Sequence, residues 1–292
     1  MQATLFALEG LPEIHTGDKL ARMIIDALGQ TQLQSGDIVA ISHKIVSKAE
    51  GRLFPPDAVK VSDKAHRLAE RTGKTPEQTQ VILNESKRVL WARKQNAPVI
   101  CQHKLGLICA NAGVDLSNAR GEILSLPLDP DATAAQLREE LEALSGVRLG
   151  VIICDTHGRP FREGAVGVTI GASGVQSLMS YIDRPDRDGR VMLSSVECLA
   201  DELASAATLL MGQSDEGRPV VVLRGLPCAI GTQNAAQIVR ILSKGFFPAN
   251  DAHAGEIGLD LQRFDGVTSD IAQTHNGSFY WHFGLQIMNI FK

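Results

Sequence analysis

Apolar side chains recur along this chain at two spacings. Between residues 18 and 28, Leu20, Met23, Ile24, Ala27 and Leu28 fall on one face at helical spacing and Gly29 ends the run, so a helix is predicted there. The period then changes. Ile38-Val39-Ala40-Ile41 is a continuous β-rich run followed by Ile45-Val46, which predicts a strand over 37–48 that enters a functional loop. Amphipathic helices are predicted over 62–73 and 76–90. The second opens with Thr75-Pro76, an N-cap followed by proline at the first helical position, where a missing N–H is harmless. Pro127 and Pro130 interrupt the chain at Leu126–Asp131, and helix resumes over Thr133–Leu144.

Val147–Cys154 reads as a buried strand that ends sharply at Asp155-Thr156-His157-Gly158. Another strand is predicted over Gly164–Gly171, a long Ala- and Leu-rich helix over 196–211, a short strand over 219–223, and a last helix over Asn234–Ser243. Beyond Gly245 the pattern is lost, and the late aromatic run Phe279-Tyr280-Trp281-His282-Phe283 suits core packing or a contact between copies. Residues 1–245 therefore form the organised part, in two subdomains, and 246–292 an unassigned tail. Helices and strands interleave without clean repeated strand–helix–strand units, which predicts mixed α+β.

Composition narrows this picture. With 292 residues and 44% hydrophobic content, the chain can bury a core without disulfide or metal staples. A net charge of -4 provides no global field for nucleic acid, so anionic ligands must be met by cations gathered locally or by metal ions. The five cysteines form no Cys-x-x-Cys pair and have mostly apolar neighbours, as expected of buried thiols in a cytoplasmic protein. Cys101 and His103 can share a metal only with a second pair of ligands, which the spacing does not supply. The start lacks a basic region followed by an apolar run, and nothing sustains the roughly 18 apolar residues of a membrane span.

No Gly-x-x-x-x-Gly-Lys-Ser/Thr loop and no Gly-x-Gly-x-x-Gly occurs, so a nucleotide, if bound, is held differently. Three clusters carry candidate chemistry. Ser42–Gly51 sets Lys44 and Lys48 four residues apart among small residues, which suits phosphate, although by itself a solvated strand edge protected by lysine is the more usual use of such a pattern. Asn111–Asn118 presents Asp115 between amides, which suits a hard cation, although by itself the pattern favours a tight turn. Asp155–Gly164 joins Asp155 and Thr156 to Arg159 and Arg162. The first two suit a metal bridging phosphate oxygens and the arginines a bidentate clamp on phosphate or carboxylate. His157 is a lesser acid or base candidate, as a loop histidine.

Taken together and in this order, these blocks resemble the coenzyme F420:L-glutamate ligase family, the gamma-glutamyl ligases. The resemblance covers about residues 5–245. It runs through Glu9-Gly10-Leu11-Pro12, Ser47–Arg52, Asn111–Asn118, Leu128-Asp129-Pro130-Asp131, Asp155–Gly164, Met211-Gly212 and Val221–Gly225. It implies GTP and Mn2+ or Mg2+, with potassium as a further ion, used to join L-glutamate to the deazaflavin F420 precursor through an acyl phosphate. It also implies mixed α/β subdomains in an intertwined homodimer. Asp115, Asp155 and Thr156 fall at metal-ligand positions, and Gln213 stands where some members place a metal-ligating glutamate. Gly10, Leu11, Pro12, Glu13, His43, Lys44, Lys48 and Asn118 fall at nucleotide positions, as does the loop Met211, Gly212, Gln213, Ser214, Asp215, Glu216, Gly217 and Arg218. Lys48 and Asp155, with Arg159 and Arg162 for substrate recognition, are the expected catalytic set. A related ligase with another acceptor and a non-catalytic deazaflavin or nucleotide binder are the alternatives.

Overall fold

Three of the apolar runs become the centre of one sheet. The computed structural model describes residues 2–93, 97–159 and 162–240. In chain order its first elements are β1 (Thr4–Ala7), α1 (Leu20–Ala27), β2 (Ile38–Ser42), α2 (His43–Ala49), β3 (Leu53–Phe54), α3 (Asp63–Thr72) and α4 (Pro76–Glu85). There follow β4 (Ser86–Trp91), β5 (Ile100–His103), β6 (Ile108–Ala110), β7 (Ile123–Leu124), α5 (Pro130–Ser145) and β8 (Gly150–Arg159). The last are β9 (Arg162–Ser173), β10 (Met179–Ser180), β11 (Val196–Glu197), α6 (Leu199–Met211) and β12 (Val220–Arg224). The chain is a mixed α/β fold.

The main sheet has the order β1-β12-β2-β8-β9. β2 and β8 run parallel, Ile38 opposite Gly150 through Ser42 opposite Cys154, while β12 lies antiparallel to both β1 and β2. Alternate residues feed two cores. Val39, Ile41, Val151, Ile153, Val220 and Val222 face one core with Leu20 and Ile24 of α1 and Leu137 and Leu141 of α5. Ile38, Ala40, Ile152, Cys154, Val221 and Leu223 face the other, against Leu203, Ala204, Ala207 and Met211 of α6. Burial on both faces explains why these strands read as unbroken apolar runs. Each large side chain so buried contributes about 1.5–3 kcal/mol. A third, smaller core joins Leu68, Val81 and Ile82 of α3 and α4 to Cys101 of β5 and Val114, beside the sheet β4-β5-β6.

By internal contacts, residues 1–157 and 166–239 form one unit, and 158–165 with 240–292 a second. The described part of the second consists of the far ends of β8 and β9 and residue 240. Among the described residues no helix is long and apolar enough to cross a membrane.

Several boundaries depart from the sequence reading. Ile45-Val46 continues no strand: Ser42 caps a helix, its hydroxyl accepting from the Lys44 N–H at 3.4 Å, and both side chains turn into the main core. The helix predicted to reach 90 stops at Glu85, where the Ser86 hydroxyl donates to the Ile82 carbonyl at 2.6 Å. Ser86–Trp91 is instead a strand paired with β5. Pro130 does not break α5 but begins it, behind an N-cap in which the Asp129 carboxylate accepts from Ala132 N–H at 3.1 Å. β8 does not end at Cys154, because β9 remains alongside after β2 has stopped. The long helix starts at Leu199, Val196-Glu197 having paired with β10. At 234 there is only a 3-10 turn, Ala235–Gln237, preceded by Asn234 with no capping bond. Residues 241–243, the tail and its aromatic run lie outside the described residues. Cys101, Cys109 and Cys154 are buried as expected, whereas Cys228 is exposed.

Candidate functional site

The parallel pair β2/β8 ends beside a cavity of 440 Å³, within the ~300–1,000 Å³ usual for small-molecule sites. Ligands of open α/β sheets gather at such carboxyl ends. The loop from α6 returns here, since Ser42 N–H donates to the Pro219 carbonyl at 2.8 Å as β12 begins. Five chain segments thus meet: 11–14 after β1, α2, the loop 115–118, the end of β8, and the turn 211–219.

Each segment brings the predicted residues. Leu11, Pro12 and Glu13 line the cavity, with His43, Lys44 and Lys48 from α2. Asp115, Ser117 and Asn118 come from the third segment, and Asp155 and Thr156 from β8. Met211 through Arg218 form the opposite wall. Gly10 precedes these residues with φ +76°, turning the chain as it leaves β1. Arg159 and Arg162 belong to the second unit, the former partly buried and the latter exposed.

Asp155 is the electrostatic centre. Its Oδ1 accepts from Thr156 N–H at 2.7 Å and faces His43 Nε2 at 3.3 Å, while Oδ2 meets His157 Nε2 at 3.0 Å. Burial would raise its pKa, but the His43 charge and the hydrogen bond from His157 outweigh this and hold the carboxyl far below the usual range. The two histidines thus favour the ionised form of Asp155.

Asp115 is held otherwise. Its backbone N–H and carbonyl both pair with Leu124, at 2.9 Å each, which fixes the main chain. Its side chain reaches Lys44 Nζ at 2.7 Å and accepts from Ser117 N–H at 2.8 Å and Ser117 Oγ–H at 2.9 Å. Against the opposing effect of burial, Lys44 and Ser117 lower its pKa. Lys48 Nζ contacts Glu13 Oε1 at 2.5 Å, with Arg120 Nε at 3.6 Å from the same oxygen. The Lys48 bond lowers the Glu13 pKa.

The third segment is wound tightly: Asn111, Ala112, Asn118 and Arg120 all have φ between 51° and 56°. Left-handed backbone at non-glycine residues costs energy, and such strain concentrates at functional sites. Asn118 also ties this segment to the opposite wall, its side-chain amide donating to the Ser214 carbonyl at 3.0 Å. There Gly212, at φ +75°, turns the chain out of α6. Glu216 folds back to accept from Ser214 N–H at 2.8 Å.

The donors suit a hard cation in part. Asp115, Asp155, Thr156 and Gln213 offer only oxygen on the walls of one cavity, as Mg2+ or Mn2+ require. Among the described residues, however, no three His, Cys, Asp or Glu side chains gather closely enough to enclose an ion. These four residues therefore supply at most part of the oxygen shell that such an ion takes. Cys101 and His103 form no such site; Leu105 N–H donates to His103 Nδ1 at 2.9 Å.

Two contributors were not assigned from sequence. Ser117 bridges Lys44 and Asp115, and the Asp-x-Ser spacing of a side-chain-capped turn was its signal. His157 was weighed as a loop residue; once β8 is extended, residues 155 and 157 share a face by the period of two.

A family model described as F420-0:gamma-glutamyl ligase matches residues 10–225. A coenzyme F420:L-glutamate ligase of Methanopyrus kandleri is 47% identical over 242 residues, 80% of this chain and 93% of the relative. Those of Methanothermobacter thermautotrophicus and Archaeoglobus fulgidus are each 43% identical, over 230 and 231 residues, covering 78% of this chain and 90% of each relative.

Proposed function

Because the chain belongs to the F420-0:gamma-glutamyl ligase family, we propose that it joins L-glutamate to the deazaflavin F420 precursor at the expense of GTP. One observation carries the reading furthest: cationic, carboxylate and amide side chains from five separate segments line a single cavity at the end of β2 and β8.

The chemistry explains what such a cavity must do. A carboxylate does not condense with an amine at neutral pH, because the leaving group would be oxide. Transfer of the GTP γ-phosphoryl group to the precursor carboxylate releases GDP and gives an acyl phosphate. The glutamate amine then attacks the acyl carbon, an amide forms, and phosphate leaves with the C–O electron pair.

Lys44 and Lys48 serve as point charges for the phosphate chain. Leu11–Glu13, His43, Asn118 and the wall 211–218 enclose the nucleotide. Asp115, Asp155 and Thr156, with the Gln213 amide, would hold Mn2+ or Mg2+. Such an ion supplies neutralisation of charge on the transferring and departing phosphate. Gln213 adds no charge, so binding leans on the two aspartates. His43 and His157 keep Asp155 oriented and ionised. Arg159 and Arg162 are assigned to carboxylate recognition on charge alone.

A homodimer in the cytoplasm belongs to the same proposal. Exposed Ile182, Val191, Leu193 and Val196 in the segment 179–197 support the pairing of copies, which light scattering would read.

The test is incubation with GTP, Mn2+, F420 precursor and labelled glutamate. Glutamylated precursor with stoichiometric GDP supports the proposal. GDP formation only with another amine would make the chain a ligase of different acceptor. Precursor binding with no GDP under any condition would overturn catalysis altogether.

A further inference from the structure

We propose that Lys44 makes the cavity selective for a divalent cation that arrives with a phosphate chain, over the free cation. The inference rests on the metal and nucleotide reading above and adds to it a linkage between the two ligands. Lys44 Nζ lies 2.7 Å from Asp115 Oδ2 and 2.5 Å from Ser117 Oγ, itself bonded to that carboxylate. The ammonium therefore stands on the oxygen that a cation would take. Side-chain exposures of 24% for Lys44 and 38% for Asp115 leave the pair within reach of a ligand, yet desolvated enough for its breakage to matter.

A free cation must displace Lys44 and leaves that ammonium without a counter-charge in a half-buried position. A cation–polyphosphate chelate supplies both replacements, since the cation takes Asp115 and a phosphate oxygen takes Lys44. Each ligand thereby strengthens the other, and the coupling is reciprocal. Lys48 offers an internal control. It is likewise neutralised by a cavity carboxylate, but that carboxylate is Glu13, which is outside the proposed metal set. Removing Lys48 lowers the positive field without uncovering Asp115.

Binding of MnCl2 alone and of MnCl2 with GDP, followed by the spin-resonance signal of free Mn2+, tests this without turnover. Lys44→Met is expected to bind Mn2+ alone about tenfold more tightly than wild type, and the gain on adding GDP should shrink by the same factor. Lys48→Met should tighten Mn2+ alone by clearly less, and Asp115→Asn should weaken it in every condition. The proposal is overturned if Lys44→Met leaves Mn2+ affinity unchanged or weaker, or if Lys48→Met matches its gain. If Lys44→Met fails to fold by circular dichroism, Lys44→Gln carries the same expectation. Should wild type bind no Mn2+ even with GDP, the metal reading of the cavity falls, and this inference with it. Binding that survives in wild type but not in Asp115→Asn keeps that reading whatever Lys44 does.

Discussion

Two cation–carboxylate clusters flank α2, and they differ in what surrounds them. Beside the cavity, Lys44 with Asp115 and Lys48 with Glu13 pair across loops, and each carboxylate partner is 38% exposed. Just beyond the other end of the helix, Arg52 donates to Glu85 at 2.8 Å, with 18% and 11% exposure, and His103 Nε2 stands 3.6 Å from the same carboxylate. Arg52 also holds the Leu126 carbonyl at 3.1 Å. Similar chemistry is fastened to the fold in one place and left open to ligands in the other. Enclosure decides which: a buried charge cannot exchange its partner for water, whereas an accessible one can.

The strongest break in the comparison should come at the anion that shares both properties. Asp155→Asn keeps the shape of a largely enclosed residue while removing its charge. It should cut glutamylation by about 100-fold or more, several kcal/mol of lost charge stabilisation, with an unchanged circular dichroism spectrum. Activity within a factor of two of wild type would take Asp155 out of the reaction. On the enclosed side, Glu85→Ala strands the Arg52 guanidinium and should cost about 3 kcal/mol of stability, read by urea unfolding. A loss under 1 kcal/mol would show that this cluster is as dispensable as a surface pair.

Acid should separate the two clusters further. Burial pushes the Glu85 carboxyl up, but the nearby His103 and the charge and hydrogen bond of Arg52 prevail, leaving it below its ordinary 4.5. A depressed folded value means that the charged form adds stability above the unfolded value, and that this is lost as pH falls through the folded one. The stability difference between wild type and Glu85→Gln should therefore hold steady from pH 7 to about 5 and shrink below that. A gap that widens on acidification would reverse the sign. The smallest effect belongs to Arg22 and Asp26 on α1, 65% and 58% exposed at 3.1 Å. Arg22→Ala should shift stability by less than about 0.5 kcal/mol. A larger shift would undo the argument that enclosure sets the value of these pairs.

Much of the architecture was readable from spacing. The runs at Ile38–Ile41, Val147–Cys154 and 219–223 became β2, β8 and β12, because strands buried on both faces must be apolar throughout. α1 and α3 announced themselves by period, and α4 also by its Thr75-Pro76 start. The misreadings occurred where one residue serves two ends. Ser42 closes a strand and caps a helix, Ser86 closes a helix and opens a strand, and Pro130 looks like a breaker but is a beginner. At the site, the aspartates and lysines stood out as candidates by residue type, but a strand edge and a tight turn use the same residues. The resemblance to the ligase family, not local pattern, singled them out; the fold sets Lys44, Lys48, Asp115 and Asp155 around one cavity. His157 was weighed only as a loop acid or base, because the misplaced end of β8 concealed its position beside Asp155. Nor could the pairing of Lys44 with Asp115, 71 positions apart in sequence, be read from local pattern, since tertiary folding alone creates it.

The clamp that Leu124 places on both backbone groups of Asp115 has a kinetic corollary. With the main chain pinned, the carboxylate can let go of one positive charge and take another by torsions about its own two side-chain bonds. Partly exposed side chains reorient in picoseconds to nanoseconds, whereas loop rearrangement takes up to microseconds. Admission of a ligand at this aspartate is thus a matter of collision and rotation, and no slow opening step should appear in its association rate.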